Sequence, residues 1–462
     1  MLAGCGYVQR HHTPKLTDVP AAYVHSGARE DVRAEAWWKD FGDPTLDQLM
    51  NEAIDNNPNL EAALARLQQF RAQSRTARAT LLPAVTASGS YQDGERAFGG
   101  LGKITLDYYD VSVSAQYEVD LWGKLSARRR AALGDLLASE NDARTAILTL
   151  TAQVARTYYQ IADLREQQRL VEQTIVSNQS AYELVRSRYM LGVVTSLDVY
   201  QAEANLAQAR GQRAAVEANL AATEHLLSIL VGRYPQTNIA GDLRVLPPQI
   251  IAIPVGLPSE LLERRPDIRA ARARLLSSDA RWSSANAALL PSFTLVGTYG
   301  NVNKQLEDAL DPENLLWNLV AGLTAPIFQG GRLVSEAQRA EAGFYEAAAG
   351  YKQVALNAFR EVEDALIRGN KARERIQQLE TQTAAAGNSL RVAEDQYRQG
   401  IITYLQVLVA QNGYFQAQST LISARRELIT NRIDLATALG GAWTDDACKT
   451  RKPAPRLHSE IH

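Results

Sequence analysis

The chain has 462 residues, 46% of them apolar, with 49 basic against 51 acidic side chains and a formal net charge of −2. So even a balance argues against a nucleic-acid binder, which would need a basic face, and no apolar run is long enough for a membrane-spanning helix. A mean hydropathy of −0.24 leaves a membrane β-barrel open, because alternating strands hide from hydropathy.

The two cysteines, Cys5 and Cys448, stand at opposite ends and make neither a disulfide framework nor a metal cluster. Leu2-Ala3-Gly4-Cys5 reads as a bacterial lipobox with Cys5 as the lipidated residue; the alternative is a chance match of four residues. Gly6 suits sorting of a lipoprotein to the outer membrane. Residues 6–42 are polar and read as an extended arm, with Trp37, Trp38 and Phe41 anchoring it to the body. Asp43-Pro44 opens a short helix, with Asp as cap and Pro at the first helical position. Asn56-Asn57-Pro58 breaks it, and a second helix runs to Leu82.

After Pro83 the apolar period changes from 3.6 to 2. Val85, Ala87, Gly89 and Tyr91 alternate with Thr86, Ser88, Ser90 and Gln92, predicting a strand over 84–93. A loop containing Gly99, Gly100 and Gly102 follows, then a second strand over 108–121. There Val111, Val113, Ala115, Tyr117 and Val119 alternate with Asp110, Ser112, Ser114, Gln116, Glu118 and Asp120. About ten residues is the length that crosses a bilayer as a tilted strand, although a soluble sandwich would alternate in the same way.

From Lys124 to Tyr189 no proline occurs, which predicts one helix of roughly 66 residues, on the order of 100 Å long. Gly192 ends it, Val193 and Val194 form the bend, and Thr195 or Ser196 caps a returning helix with Asp198 in its first turn. The returning helix runs to about Leu230 with a heptad seam of Leu206, Leu220 and Leu227, a packed helical hairpin with its tip at 190–197. Pro235, Pro247, Pro248, Pro254 and Pro258 then mark a linker over 234–258 that no helix can cross.

The unit then repeats. Pro266, Pro291, Gly331, Tyr397 and Gly400 each stand 208 residues after Pro58, Pro83, Gly123, Tyr189 and Gly192. Strands are predicted over 292–300 and 315–328, the second with Pro326 at its end, and a hairpin tip over 398–405 with Thr403 and Gln406 as a capping box. The expected organisation is an arm (1–42), a first repeat (43–233), the linker, a second repeat (259–443) and a tail (444–462). The class is mainly α with a membrane β-barrel: tandem long helical hairpins plus four strands per chain. Four strands cannot close a barrel and an open edge cannot exist in lipid, so a homotrimer with twelve strands and a helical tunnel is inferred.

Several motifs carry a resemblance. They are Leu2-Ala3-Gly4-Cys5, Trp37-Trp38-Lys39-Asp40-Phe41-Gly42-Asp43-Pro44, Glu263-Arg264-Arg265-Pro266-Asp267-Ile268, Ala325-Pro326-Ile327-Phe328 and Leu439-Gly440-Gly441-Ala442-Trp443. Together they resemble the TolC family of outer membrane factors, in its lipoprotein branch, over nearly the whole chain. The resemblance implies a passive exit duct in the outer membrane of a Gram-negative bacterium, reaching into the periplasm. Its partners would be a periplasmic adaptor (a membrane fusion protein), an inner-membrane pump of RND type and outer-membrane lipid, with no cofactor and no nucleic acid. A type I secretion duct for a protein and a metal-ion efflux duct are the alternatives. An enzyme finds no support: there is no nucleophile elbow, phosphate loop or metal spacing, and His225 reads as a helix-packing residue.

The resemblance also implies where function lies. Adaptor tips would dock on Gly192, Val193, Val194 and Thr195 and on Gly400, Ile401, Ile402 and Thr403, whose apolar pairs are unusual for turns. In the family the duct closes at the hairpin ends by a tyrosine–aspartate link, which Tyr397 and Asp198 match, and by charged residues where this chain has Gln406 and Val409. Ile402 also replaces an arginine of the family's namesake. The expectation is a gate held by packing of Leu405 and Val409 plus a Tyr397–Asp198 hydrogen bond. By strand parity, with the apolar face toward lipid, Asp110, Glu118 and Asp120 would line the barrel or its periplasmic mouth as a negative ring, unless nearby Lys or Arg neutralise them.

Overall fold

The computed structural model describes residues 23–24, 36–98, 102–241, 258–311, 313 and 315–440. Cys5, Gly99-Gly100, residues 242–257 of the proline-rich linker, Gly441-Ala442-Trp443 and the tail lie outside the described residues. A 3-10 turn, Trp37–Phe41, precedes α1 (Pro44–Asn56) and α2 (Pro58–Ala79). Strands β1 (Ala84–Phe98) and β2 (Gly102–Val119) follow, then α3 (Lys124–Met190) and α4 (Ser196–Leu230). The second copy comprises α5 (Pro258–Arg264), α6 (Pro266–Ala287), β3 (Ser292–Asn303), a short α7 (Leu306–Leu310), β4 (Leu316–Thr324), α8 (Arg332–Arg398) and α9 (Tyr404–Ala438). Helices α3 and α8 both have 67 residues, and α4 and α9 both have 35. Arg332 and Tyr404 stand 208 residues after Lys124 and Ser196.

In space the chain divides differently from its repeats. One compact unit is built on Arg66–Asn141 with Ala270–Gln353; the other contains Asp142–Arg269 and the chain from Val354 onward. Each unit takes part of both copies.

The first unit holds one antiparallel sheet in the order β1-β2-β3-β4. Its register keeps the two faces distinct. Val113 lies opposite Ala87 and Tyr299, Tyr117 opposite Leu295, and Tyr299 opposite Trp317 on the apolar face. On the other face Thr86 and Ser114 share a hydroxyl bond of 2.8 Å, and Ser88 and Ser112 one of 3.0 Å. Pairing of β1 with β2 continues from Asp93 opposite Asp107 to Phe98 opposite Gly102, beyond the stretch marked by alternation. Backbone pairing does not need an apolar face, so Asp93-Gly94-Glu95 concealed it. β4 stops at Thr324, short of the expected 328, because Pro326 has no N–H to donate. At Gly300 a Cβ would lie 2.5 Å from the Val111 carbonyl oxygen, so only glycine fits between β2 and β3. Each edge strand, β1 and β4, has one neighbour only.

The foot of this sheet is a helix cap. Asp120 accepts from the backbone N–H groups of Leu125 and Ser126, both at 2.8 Å, which satisfies two free donors at the start of α3. Glu118 forms an ion pair with Lys124, and the Trp122 indole donates to the Pro291 carbonyl at 2.6 Å. Helices α3 and α6 meet at Gly134, where a Cβ would come 2.9 Å from that of Ser277. The Ser277 hydroxyl donates to Asp135 at 2.7 Å.

In the second unit Trp38, Leu46, Met50, Leu60, Ile147, Tyr158, Tyr159, Leu227 and Ile429 form the main core. The Trp37–Phe41 turn packs there as an anchor: the Phe41 ring is 5.2 Å from that of Tyr159, and Arg432 lies over it at 4.7 Å. Asp43 caps α1 with one oxygen, 2.9 Å from the Thr45 nitrogen, and accepts from the Tyr158 hydroxyl at 2.7 Å with the other.

The end of α4 meets the start of α2, and the same junction recurs in the second copy with different chemistry. Asn57 accepts from the N–H groups of Asn59 and Leu60 at 3.0 and 3.1 Å while donating to the Leu230 carbonyl at 2.9 Å. Its counterpart, Arg265, donates to the Ala438 carbonyl at 3.0 Å, to Asp267 at 2.6 Å and to Glu361 at 2.7 Å. Beside them Gly232 and Gly440 take left-handed angles of +80° and +70°. Arg265→Ala leaves a carbonyl and two carboxylates without their donor, and should destabilise the protein by about 2–4 kcal/mol. Asn57→Ala loses one cap and one bond, about 1–2 kcal/mol. Denaturant unfolding followed by tryptophan fluorescence checks the order, Arg265 above Asn57.

Candidate functional site at the hairpin ends

Both long helices end in the same way. The N–H of Val193 bonds the Arg188 carbonyl and that of Gly192 the Tyr189 carbonyl, each at 2.9 Å. Ile401 to Gln396 and Gly400 to Tyr397 repeat the pattern at 2.9 Å. These are Schellman caps, and their glycines have φ of +72° and +78°, a region L side chains avoid.

The returning helices start differently. Asp198 accepts from the Thr195 backbone N–H at 3.0 Å and from its hydroxyl at 2.9 Å, closing the first turn of α4. At Thr403 no side-chain cap bond forms, and Gln406 is exposed. The expected Thr403–Gln406 capping box is therefore absent.

Between the hairpins lies a small core of Val185, Ala202, Leu390, Ala393, Tyr397, Tyr404 and Val407, against which Val194 and Ile402 pack. The two apolar tip pairs are thus split. Val193 and Ile401 are 66% and 65% exposed, whereas their neighbours turn inward. The first tip exposes more than the sequence reading marked: Met190 at 78%, Leu191 at 76%, and Leu197 and Tyr200 beside them. Leu405 and Val409, one turn apart on α9, are also exposed.

The expected Tyr397–Asp198 bond is not formed. The Tyr397 hydroxyl is buried with no hydrogen-bond partner among the described residues, and the Asp198 oxygen is engaged by Thr195. Burial raises the Tyr397 pKa and, with the nearby Tyr397 and Asp198, pushes that of Tyr404 up to about 12, so both remain neutral donors near neutral pH. The tie between hairpins comes from Arg188, which sequence reasoning did not single out. Its guanidinium donates to the carbonyls of Tyr397 and Arg398, both at 2.8 Å, and lies 4.5 Å from the centre of the Tyr397 ring. Deeper in the pair, Gln411 donates to Ser177 at 2.8 Å.

The acidic lumen ring is likewise reduced. Asp110, Glu118 and Asp120 share one face by strand parity, but Glu118 is paired with Lys124 and Asp120 caps α3. Asp110 remains, opposite Ser90 and Val302. His225 is exposed rather than packed. Among the described residues no helix is long and apolar enough to cross a membrane.

Arg188→Ala should free the last carbonyls of α8. Amide exchange at Gly400–Ile402 is expected to rise about tenfold or more, the value of hydrogen bonds from a charged donor. Arg188→Lys, which cannot hold both carbonyls with one planar fork, should fall between, by hydrogen exchange with mass spectrometry.

Residues 49–233 and 257–441 each match the outer membrane efflux protein family. The chain is 35% identical over 451 residues to the pyoverdine export outer membrane protein OpmQ of Pseudomonas putida, covering 94% of each chain. It is 31% identical to the outer membrane protein OprJ of Pseudomonas aeruginosa, over 96% of this chain and 94% of that one. Among solved structures, the outer-membrane channel OprN matches with a TM-score of 0.87 at 27% identity, over 94% of this chain and 98% of that one. The open state of the Neisseria gonorrhoeae MtrE outer membrane channel matches with a TM-score of 0.82 at 27% identity, over 95% and 99%. The chain therefore belongs to the outer membrane efflux protein family and is an outer-membrane channel for efflux.

Proposed function

We propose that three copies of this chain form the exit duct of a tripartite system, fed by a periplasmic adaptor and an inner-membrane pump of RND type. The observation that carries the reading is the open sheet. β1 and β4 each have a free edge, and one face between them bears Val85, Val113, Phe293, Leu319 and Trp317. Unpaired backbone groups cannot remain in lipid, so edge must meet edge of another copy. Three copies bring twelve strands, which leave a lumen that eight would fill with side chains. The helices continue that lumen as a tunnel. The cargo class follows the relatives, whose names specify pyoverdine export and antibiotic efflux. Cys5 supplies a lipid anchor. Heat-modifiable trimers in outer-membrane fractions and pores in planar bilayers test the reading; a monomer without pores would overturn it.

The adaptor docks on the hairpin tips, shaped by Gly192, Thr195, Gly400 and Thr403, with Val193 and Ile401 as apolar contacts and Met190 and Leu191 beside them. Val193→Glu with Ile401→Glu should abolish drug resistance while trimers persist on unheated gels. The gate is apolar: Leu405 and Val409 of three copies meet at the hairpin end, with Gln406 between them and little ionic contribution. Val409→Ala should raise single-channel conductance severalfold, whereas Tyr397→Phe, which removes a hydroxyl that makes no bond, should leave it unchanged.

A further inference from the structure

The two copies build the same strand–helix junction with different charge. In the first, the last turns of α2 carry Arg75 and Arg78, and the first turns of α3 carry Lys124, Arg128, Arg129 and Arg130. Pairing of Ala84 with Gln116 puts both helix ends at one end of the β1–β2 hairpin. No acidic residue occurs between Glu61 and Asp93, nor between Asp120 and Asp135. In the second copy the five arginines become Ser283, Asn286, Glu336, Ala337 and Gln338, 208 positions on. There Arg332 pairs with Glu336 at 2.8 Å. That junction folds without the charge, so folding does not require it.

Nor does the start of α3 use it: Asp120 fills the free donors there and Glu118 pairs with Lys124, which leaves Arg128, Arg129 and Arg130 one turn further on without a carboxylate. Arg75, Arg78, Arg128, Arg129 and Arg130 are all exposed. None makes an ion pair among the described residues, in a chain whose other arginines are mostly paired. Arg128 to Arg130 stand about 6–9 Å along the helix from its start. The headgroup zone of a bilayer is about 5–8 Å deep on each side. Trp122, of a type that prefers that zone, lies at the junction. A cavity of about 650 Å³ opens beside it, lined by Trp122, Lys124, Arg128, Phe328 and Arg332 together with Glu118 and Asp120, whose carboxylates are engaged by Lys124 and by the start of α3.

We propose that this first-copy cluster binds anionic phospholipid headgroups at the periplasmic edge of the barrel. The inference rests on the reading that the apolar face of the sheet meets lipid. The junction adjoins the sheet that bears that face, and with the charge of the cluster this selects anionic lipid as the occupant.

The test uses purified trimers in nanodiscs of equal phosphatidylethanolamine and phosphatidylglycerol, with the lipid retained on release read by native mass spectrometry. Wild type should retain phosphatidylglycerol in roughly tenfold preference, given the value of basic groups at an anionic surface. The variant Arg75→Ser, Arg78→Asn, Arg128→Gln, Arg129→Ala, Arg130→Gln should fall to parity, and the five-lysine variant should keep most of the preference. Full preference in the neutral variant overturns the proposal. So does loss of trimers in the neutral variant but not in the lysine one, which would place the arginines against a neighbouring copy. Wild-type pores of normal conductance with no lipid preference overturn this inference alone, whereas a wild type that forms no pores overturns the channel reading beneath it.

Discussion

Backbone groups that lose water must find another partner, and each junction of this chain is an answer to that demand. Helix α4 ends against the main core; Asn57 meets its Leu230 carbonyl at 2.9 Å while capping the helix that begins there. At the foot of the sheet, Asp120 does the converse and fills the free donors of α3. At the hairpin tips the left-handed glycines and Arg188 together satisfy the carbonyls of α3 and α8. Among the described residues one set remains unanswered within a single chain, the outer edges of β1 and β4. The same demand that shapes the fold therefore requires assembly.

Duplication makes this legible as a comparison within one molecule. Where both copies face the same backbone problem, they keep the glycine and exchange the side chain: Gly232 with Asn57, Gly440 with Arg265. Arg265 brings two carboxylates into a site where Asn57 needed none, so its junction is costlier to break. Asp198 completes a helix turn in the first copy, while Thr403 has no equivalent partner. The copies are interchangeable as folds and distinct at their ends.

What the sequence disclosed follows from how local each signal is. The repeat of 208, the helix stops at Gly192 and Gly400 and the parity of Val111 to Val119 depend on neighbours a few residues away, and a reader of the chain sees them. Arg188 could not be read, because its acceptors lie 209 and 210 residues on and are backbone atoms that any residue would supply. Parity also misled at the end of β2. It gives the face of Glu118 and Asp120 but not that the strand's last residues serve the next helix. Val193 and Val194 look alike in sequence; the turn geometry sends one out and the other into the core.

These contacts also limit how the hairpin end can move. Arg188 ties the two hairpins of one chain by two bonds from a charged donor and a ring contact. Discounted for partial exposure, that tie is on the order of 3 kcal/mol per chain. Leu405 and Val409 would add about 1.5–3 kcal/mol each if wholly buried against other copies, and less at a wet constriction. Salt strengthens apolar contacts and screens ionic ones. An opening that separates the hairpins of one chain must break the Arg188 tie. An opening that carries both hairpins together breaks only the apolar contacts between copies. An opening of the first kind breaks the Arg188 tie in addition to contacts between copies, so under the proposed gate the less costly opening keeps the two hairpins of one chain together.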